Sequence, residues 1–258
     1  MNLYDLDNIS FAHGAKTVLH DLSCRLTPGL FYGLIGANGS GKTTLIDLLL
    51  GTITGSGRLR FKGRPLEGYN RRELARELAL VPQEFKINFD FTVQDIVMMG
   101  RHPHIPRFTS PGVRDWEIVT EVMADLDISN FKERFLPHLS GGEKQLVMVA
   151  RALAQDTPTL LLDEATSNLD IHHTIKIMRT IRQRMKQRGG TVIAAIHDLN
   201  LAAAYCDIII LLHEGRILKI GSVAETLTPE LLEQMFHIDS HPYMDDFSGV
   251  RQVAFKYF

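Results

Sequence analysis

Nine residues, Gly36 to Thr44 (GANGSGKTT), combine three glycines, a lysine and two threonines. Gly36, Gly41, Lys42 and Thr43 occupy every fixed position of the pattern G-x-x-x-x-G-K-[ST], between the apolar run LFYGLI and the helix-like TTLIDLLLG. Glycines let a chain fold around an anion so that successive N–H groups point inward, here from Gly36, Ala37, Asn38, Gly39, Ser40 and Gly41. The helix that follows adds the positive end of its dipole. Lys42 would then reach the β- and γ-phosphates of a nucleotide, the Thr43 hydroxyl would ligate Mg²⁺, and Thr44 completes the candidate set. A glycine-rich turn before an ordinary helix would need neither the lysine nor the hydroxyl at those offsets.

A phosphate cradle needs a partner that handles metal and water. The run LLLDEAT ends an apolar strand with adjacent acids, Asp163 and Glu164, and α/β proteins bind ligands beyond the carboxyl ends of their strands. In nucleotidases with such a loop, an acid at this place holds Mg²⁺ and a neighbouring group orients the attacking water. Asp163 is therefore expected at the metal and Glu164 at the water. Without the loop, the same pair would suit a helix N-cap followed by a first-turn glutamate.

The segment LSGGEKQLVMVARALAQD, Leu139 to Asp156, repeats apolar Leu146, Val149, Ala150 and Leu153 at i, i+3, i+4 and i+7, which predicts an amphipathic helix. Ser140 and Glu143 make an S-x-x-E capping box at its start. A capped helix does not account for Gly141 and Gly142, because glycine costs roughly 0.5–1 kcal/mol of helix propensity against alanine. A bare capped terminus is a second anion site, able to bring N–H groups and the Ser140 hydroxyl against a phosphate. One nucleotide needs only one such cradle from one chain, so this second site is expected to serve the nucleotide of another copy.

These groups must be carried by a sheet. LFYGLIG, the end of RELALVPQ, PTLLLDE, GTVIAAIH and DIIILLHEG are expected strands, and continuous apolar runs such as Leu160 to Leu162 suit strands covered on both faces. Alternation of these strands with helical segments predicts an α/β fold around a mainly parallel sheet. LYDLDNISF and GRLRFKGRPL are expected as an antiparallel β subdomain. Phe91 to Asn130 is expected to be mainly helical, broken at GRHPHIPRFTSPG, within an inserted helical subdomain of about 90–155. A C-terminal extension of about 222–258 should hold a short helix, PELLEQMF, and then turn and strand residues. No internal repeat or low-complexity tract interrupts this plan.

Composition narrows the partners. With 28 Lys and Arg against 30 Asp and Glu, the formal charge is −2, which offers no basic footprint for nucleic acid. Cys24 and Cys206 form no C-x-x-C pattern, which fits a reducing compartment and neither a disulfide scaffold nor a zinc motif. The opening MNLYDLDNIS has acids where a signal peptide has basic residues. The most apolar stretch, Thr191 to Leu212, is interrupted by His197, Asp198, Asn200 and Asp207 and is not expected to span a bilayer.

GANGSGKTT, LVPQ with Gln83, LSGGEKQ, TLLLDEATSNLD and IAAIHDLN with His197 follow the order and rough spacing of the ATP-binding-cassette ATPases, which the chain resembles from about Leu3 to about Gly221. The resemblance implies a single P-loop NTPase domain over 1–258. It also implies a head-to-tail homodimer with two ATP molecules and Mg²⁺, each nucleotide between the phosphate loop of one subunit and the LSGGE segment of the other. By position, Gln83 would contact Mg²⁺ and sense a membrane partner, residues 167–170 would pass information across the dimer, and His197 would contact the γ-phosphate. Taken singly, Gln83 could be a strand-end hydrogen bonder and His197 a helix cap. The sequence departs from the family twice. His13, with Phe11 two residues earlier, stands where the family usually stacks an aromatic residue on adenine, and Ala165 replaces a common proline.

One phosphate loop and no fused hydrophobic span resemble a separate ATPase subunit serving a separate membrane subunit. FTVQDIVMMGRHPHIPRF and DIHHT are similar to stretches in ATPases of importers for iron-siderophores, haem and cobalamin. The implied assembly has two copies of a transmembrane permease, a periplasmic or lipoprotein substrate-binding protein, and this chain as a peripheral subunit on the cytoplasmic face of the membrane. Residues Met98 to Phe108 are then expected to be a docking loop with Arg101 and Arg107 at its rim. Met98, Met99, His102 and His104 offer an alternative metal site, although two prolines in the loop fix no ligand geometry. The ATPase subunit of a metal or oxyanion importer or of an exporter, and a soluble cassette protein acting on nucleic acid, are the rival classes. A lone GTPase or kinase would need no LSGGE, and no N-K-x-D is present.

Overall fold

The buried faces of the first strands come from alternation. Tyr4, Leu6 and Ile9 point inward in β1 (Tyr4–His13), while Leu19, Leu22 and Leu26 do so in β2 (Lys16–Leu26). In the computed structural model, which describes residues 1–83, 85, 90–167 and 169–256, the chain continues through β3 (Phe31–Ile35), α1 (Lys42–Leu50), β4 (Ser56–Phe61) and β5 (Arg64–Pro65). It then runs through α2 (Arg71–Glu77), β6 (Leu78–Val81), α3 (Val93–Met99), α4 (Val113–Asp125), α5 (Gly141–Ala154), β7 (Thr159–Asp163) and α6 (Ile171–Gln187). The last stretch holds β8 (Thr191–Ala195), α7 (Leu199–Tyr205), β9 (Ile208–His213), β10 (Arg216–Gly221), α8 (Val223–Thr226), α9 (Pro229–Phe236), β11 (Ser240–Met244) and β12 (Arg251–Phe255). Two units result, Met1–Tyr69 with Thr191–Phe258, and Asn70–Gly190.

In the first unit, β1 lies antiparallel between β2 and β4, with Tyr4 opposite both Leu26 and Phe61. The Tyr4 hydroxyl donates to the Leu49 carbonyl at 2.8 Å, so this fully buried phenol ties the β subdomain to the end of α1. Strand β3 pairs in parallel with β8 on one side and β9 on the other. All five residues of β3 and of β8 are buried, as continuous apolar strands require when both faces are covered. β10 returns antiparallel to β9. The β11–β12 hairpin is antiparallel too, and Val253 N donates to Asn200 Oδ1 of α7 at 2.7 Å.

The second unit contains the parallel pair β6 and β7, aligned Leu78 with Thr159 through Val81 with Leu162. Helix α5 carries its expected apolar stripe inward, with Leu146, Val149, Ala150 and Leu153 all buried. The α/β class with parallel ladders, an antiparallel β subdomain and a helical segment is thus the observed fold. Strand β2 was not among the expected strands, because Lys16, His20, Asp21 and Arg25 break up its apolar pattern.

Candidate functional site

The phosphate loop follows β3 directly and enters α1. A side chain at Gly36 would put its Cβ 2.3 Å from the Leu212 carbonyl oxygen and 2.4 Å from Ser40 Oγ, so only glycine fits there. Gly41 has φ of 101°, in the left-handed region that glycine enters without steric cost, and provides no side-chain cap for α1. The first N–H groups of a helix have no intrahelical acceptor, and Gly41 has no side chain to cap them. Ser40 Oγ is buried without a hydrogen-bond partner among the described residues. Lys42 is buried, and its amine donates to the Gly36 carbonyl at 3.0 Å and to the Ala37 carbonyl at 3.2 Å. Ala37, Asn38, Gly39 and Thr43 are exposed and Thr44 is half-buried. An uncapped helix start, an orphaned hydroxyl and a cation folded over the loop are the donor set that a polyphosphate satisfies.

Elsewhere in the same unit, His13 ends β1 beside the turn to β2, exposed, with the Phe11 ring edge-on at 4.8 Å between centroids. His197 follows β8 and is exposed. The cap of α7 is its neighbour Asp198, whose Oδ1 accepts from Asn200 N at 2.8 Å and Leu201 N at 3.0 Å, so the helix-cap alternative for His197 is closed.

The acid pair and the capped helix lie in the second unit. Asp163 is buried at the end of β7, and Glu164 takes φ of 48°. For a residue with a Cβ this is a sparsely populated conformation that surrounding structure must hold in place. Two glutamines do so. Gln83 Nε2, after β6, donates to Glu164 Oε2 at 2.7 Å, and buried Gln145 Nε2, on α5, donates to the Ala165 carbonyl at 2.9 Å. Gln145 lies inside LSGGEKQ, but its spacing to Ala165 is set by tertiary contact and gives no local signal. An open pocket of ≈ 260 Å³ is lined here by Gln83, Phe85, Gly141, Lys144, Glu164 and Ser167, among others. Asn168, within the expected 167–170 relay, lies outside the described residues, as do 84 and 86–89 after Gln83.

Helix α5 begins as its sequence predicts. Ser140 Oγ accepts from Glu143 N at 3.3 Å, and Glu143 Oε2 accepts from Ser140 N at 2.7 Å. The side-chain and backbone hydrogen bonds with Ser140 hold the Glu143 carboxyl below its usual value. A Cβ on Gly141 would meet nothing within 4 Å, and one on Gly142 would reach only ordinary contact distance from His173 and Leu169. Nothing among the described residues requires either residue to be glycine.

The expected docking loop needs a correction. Arg101 is 5% exposed and cannot form a rim: its Nε pairs with Asp115 Oδ1 at 2.9 Å and its Nη1 donates to the Ala154 carbonyl at 2.8 Å. It fastens the end of α3 to the start of α4 and the end of α5. His102, Pro106, Arg107 and Phe108 are the exposed part, and Phe108 is fully so. The metal alternative at this loop loses one ligand atom to burial and one to a hydrogen bond. Met98 is buried, and His104 Nε2 lies 2.8 Å from the Gln155 carbonyl, to which it must donate. Burial, above all, keeps the His104 imidazole below its usual pKa.

The glycine-rich turn between β3 and α1, with Lys42 folded over it, is the loop of a P-loop nucleotide-binding fold. A family model described as ABC transporter matches residues 19–167. The hemin import ATP-binding protein HmuV of Thermobifida fusca is 40% identical over 91% of this chain and 84% of its own length. The cobalamin import ATP-binding protein BtuD of Halobacterium salinarum is 37% identical over 90% of this chain, which spans only 58% of that relative's length. Among solved structures, a chain from an inward-facing ABC transporter assigned to the metal-chelate type is 28% identical, with a TM-score of 0.85 over 100% of this chain and 98% of that one. The chain belongs to the ABC transporter family of ATPases.

Proposed function

We propose that the chain is the ATP-hydrolysing subunit of an importer for a metal chelate, with hemin or cobalamin the first candidates and iron-siderophores next. The names and coverage of the hemin and cobalamin relatives support the cargo class. In this proposal the 258 residues act as one cassette, with a helical subdomain of about 90–155 and a C-terminal extension of about 222–258. No helix among the described residues is long and apolar enough to cross a membrane, so the transport path is assigned to a separate permease in two copies, fed by a substrate-binding protein. This chain would sit peripherally on the cytoplasmic face.

Each role rests on chemistry. The N–H groups of 36–44 and the Lys42 amine bind the phosphates, and His13 faces the base. Thr43, Asp163 and Gln83 would hold Mg²⁺, which supplies charge neutralisation at the β- and γ-phosphates. Glu164 orients water for attack, and His197 contacts the γ-phosphate. Ser140, Gly141 and Gly142 bind the nucleotide of a second copy in a head-to-tail dimer. The observation that carries this reading is the bare start of α5, where no contact among the described residues calls for glycine. The test is co-purification with the permease and uptake of hemin, cobalamin and a ferric siderophore into vesicles, with ATP inside or out as orientation requires. ATP-dependent uptake of one of the three is expected. ATP turnover with uptake of none would overturn the cargo assignment.

A further inference from the structure

Asp170, His172 and His173 each offer one ligand atom, and these atoms lie within 4.8 Å of one another. Asp170 also ends the expected 167–170 relay, but neither the phosphate contacts nor the hydrolytic step proposed above uses any of the three. We propose that these three side chains bind one divalent transition-metal ion of the zinc class, with water completing the coordination. Two imidazoles and a carboxylate form the donor set that such ions favour, whereas Mg²⁺ and Ca²⁺ take mostly oxygen ligands.

The site is partly built by the fold. Asp170 caps α6 with Oδ1, which accepts from His173 N at 2.8 Å, and its Oδ2 lies 2.7 Å from His173 Nδ1. These two contacts fix the carboxylate against the imidazole. The ring centroids of His172 and His173 are 5.5 Å apart at 85°. Tetrahedral bonds of about 2.0–2.2 Å to nitrogen and oxygen place ligand atoms roughly 3.3–3.6 Å apart, so the trio must close by about an ångström. His172 is exposed, and a change of side-chain rotamer supplies that closure. The positive end of the α6 dipole opposes a cation here, and the Asp170 charge offsets it.

His173 also touches the start of α5, where a Cβ on Gly142 would lie 3.6 Å from its Nδ1. A metal that locks this imidazole therefore sits one side chain away from the bare helix terminus. The metal site itself stands independently of the nucleotide chemistry.

The experiment uses the full chain without an affinity tag, stripped with chelator, and titrates it with Co²⁺ alone, whose visible absorption reports coordination, followed by Zn²⁺ displacement. One saturable Co²⁺ site, displaced by Zn²⁺, is expected. His172→Ala and Asp170→Asn should each weaken binding at least tenfold, in line with losses seen when metal sites lose supporting groups. His172→Ala with His173→Ala should abolish it, and His241→Ala should change nothing. Asparagine still caps α6 and His172 is exposed, so thermal melts of Asp170→Asn and His172→Ala should match the wild type and show that the loss is local. Absence of saturable binding, or equal binding by the double variant, overturns the site.

Discussion

Gln83 Nε2 donates to Glu164 Oε2 at 2.7 Å, across 81 residues of sequence. A side chain on the segment leaving β6 thus helps to aim the carboxylate that follows β7. In Glu164→Gln the amide oxygen can still accept this bond, so the turn keeps its shape while the charge proposed to orient water is gone. Hydrolysis should fall at least ~100-fold, ATP affinity should change little, and an ATP-stabilised dimer should accumulate in size-exclusion runs. Wild-type turnover would remove Glu164 from the mechanism.

Gly141→Ala separates stability from function. The added methyl meets no atom within 4 Å, and alanine favours the helix, so the isolated chain should gain stability, by at most about 1 kcal/mol. ATP-dependent dimerisation should be lost, because the methyl enters the face offered to a second copy's nucleotide. A variant that dimerises normally with ATP would place that nucleotide elsewhere.

His13→Tyr offers a larger stacking face than the imidazole, which Phe11 already supports edge-on. A gain of about 0.5–1.5 kcal/mol for aromatic stacking corresponds to roughly two- to tenfold tighter nucleotide binding. The hydrolytic rate should stay unchanged. Equal ATP and GTP affinities in both proteins, unmoved by the substitution, would show that His13 does not touch the base.

Arg101→Ala should destabilise the chain by about 1–3 kcal/mol, because it leaves half-buried Asp115 and the Ala154 carbonyl without their cation. Burial alone would raise the Asp115 carboxyl, but hydrogen bonds from Arg101 and Gly112 N and the Arg101 charge outweigh it and hold the pKa below the usual value. A pKa depressed by folding means that the unfolded state binds more protons as acid is added. The stabilisation is therefore complete above the ordinary carboxylate range and disappears as pH falls through the folded value. Urea midpoints of wild type and Arg101→Ala should be far apart at neutral pH and converge in acid. A gap independent of pH would assign the loss to packing alone.

The docking hypothesis moves to Arg107 and Phe108, which are exposed where Arg101 is not. Alanine at both positions should leave thermal stability within about 0.5 kcal/mol and leave the ATPase rate of the isolated chain unchanged. Pull-down of the permease and vesicle uptake should both fail. An intact complex with normal uptake would locate the interface on another surface.

What the sequence determined by itself was local. The spacing of Gly36, Gly41, Lys42 and Thr43 makes a phosphate cradle, and the Ser140–Glu143 pair caps α5, because both depend on backbone geometry within a few residues. The parallel strands were legible for a similar reason, since runs such as Leu160–Leu162 satisfy one requirement, burial on both faces. Burial of a charged side chain follows a different rule. Arg101 reads as a surface cation in GRHPHIP, but its partners are 14 and 53 residues away, and only the packing of α3, α4 and α5 makes it internal. The same holds for Gln83 with Glu164, for Gln145 with Ala165, and for His173 beside Gly142. Each pairing is made by elements distant in sequence, and tertiary structure alone decides it because no periodicity or capping rule reaches across such separations.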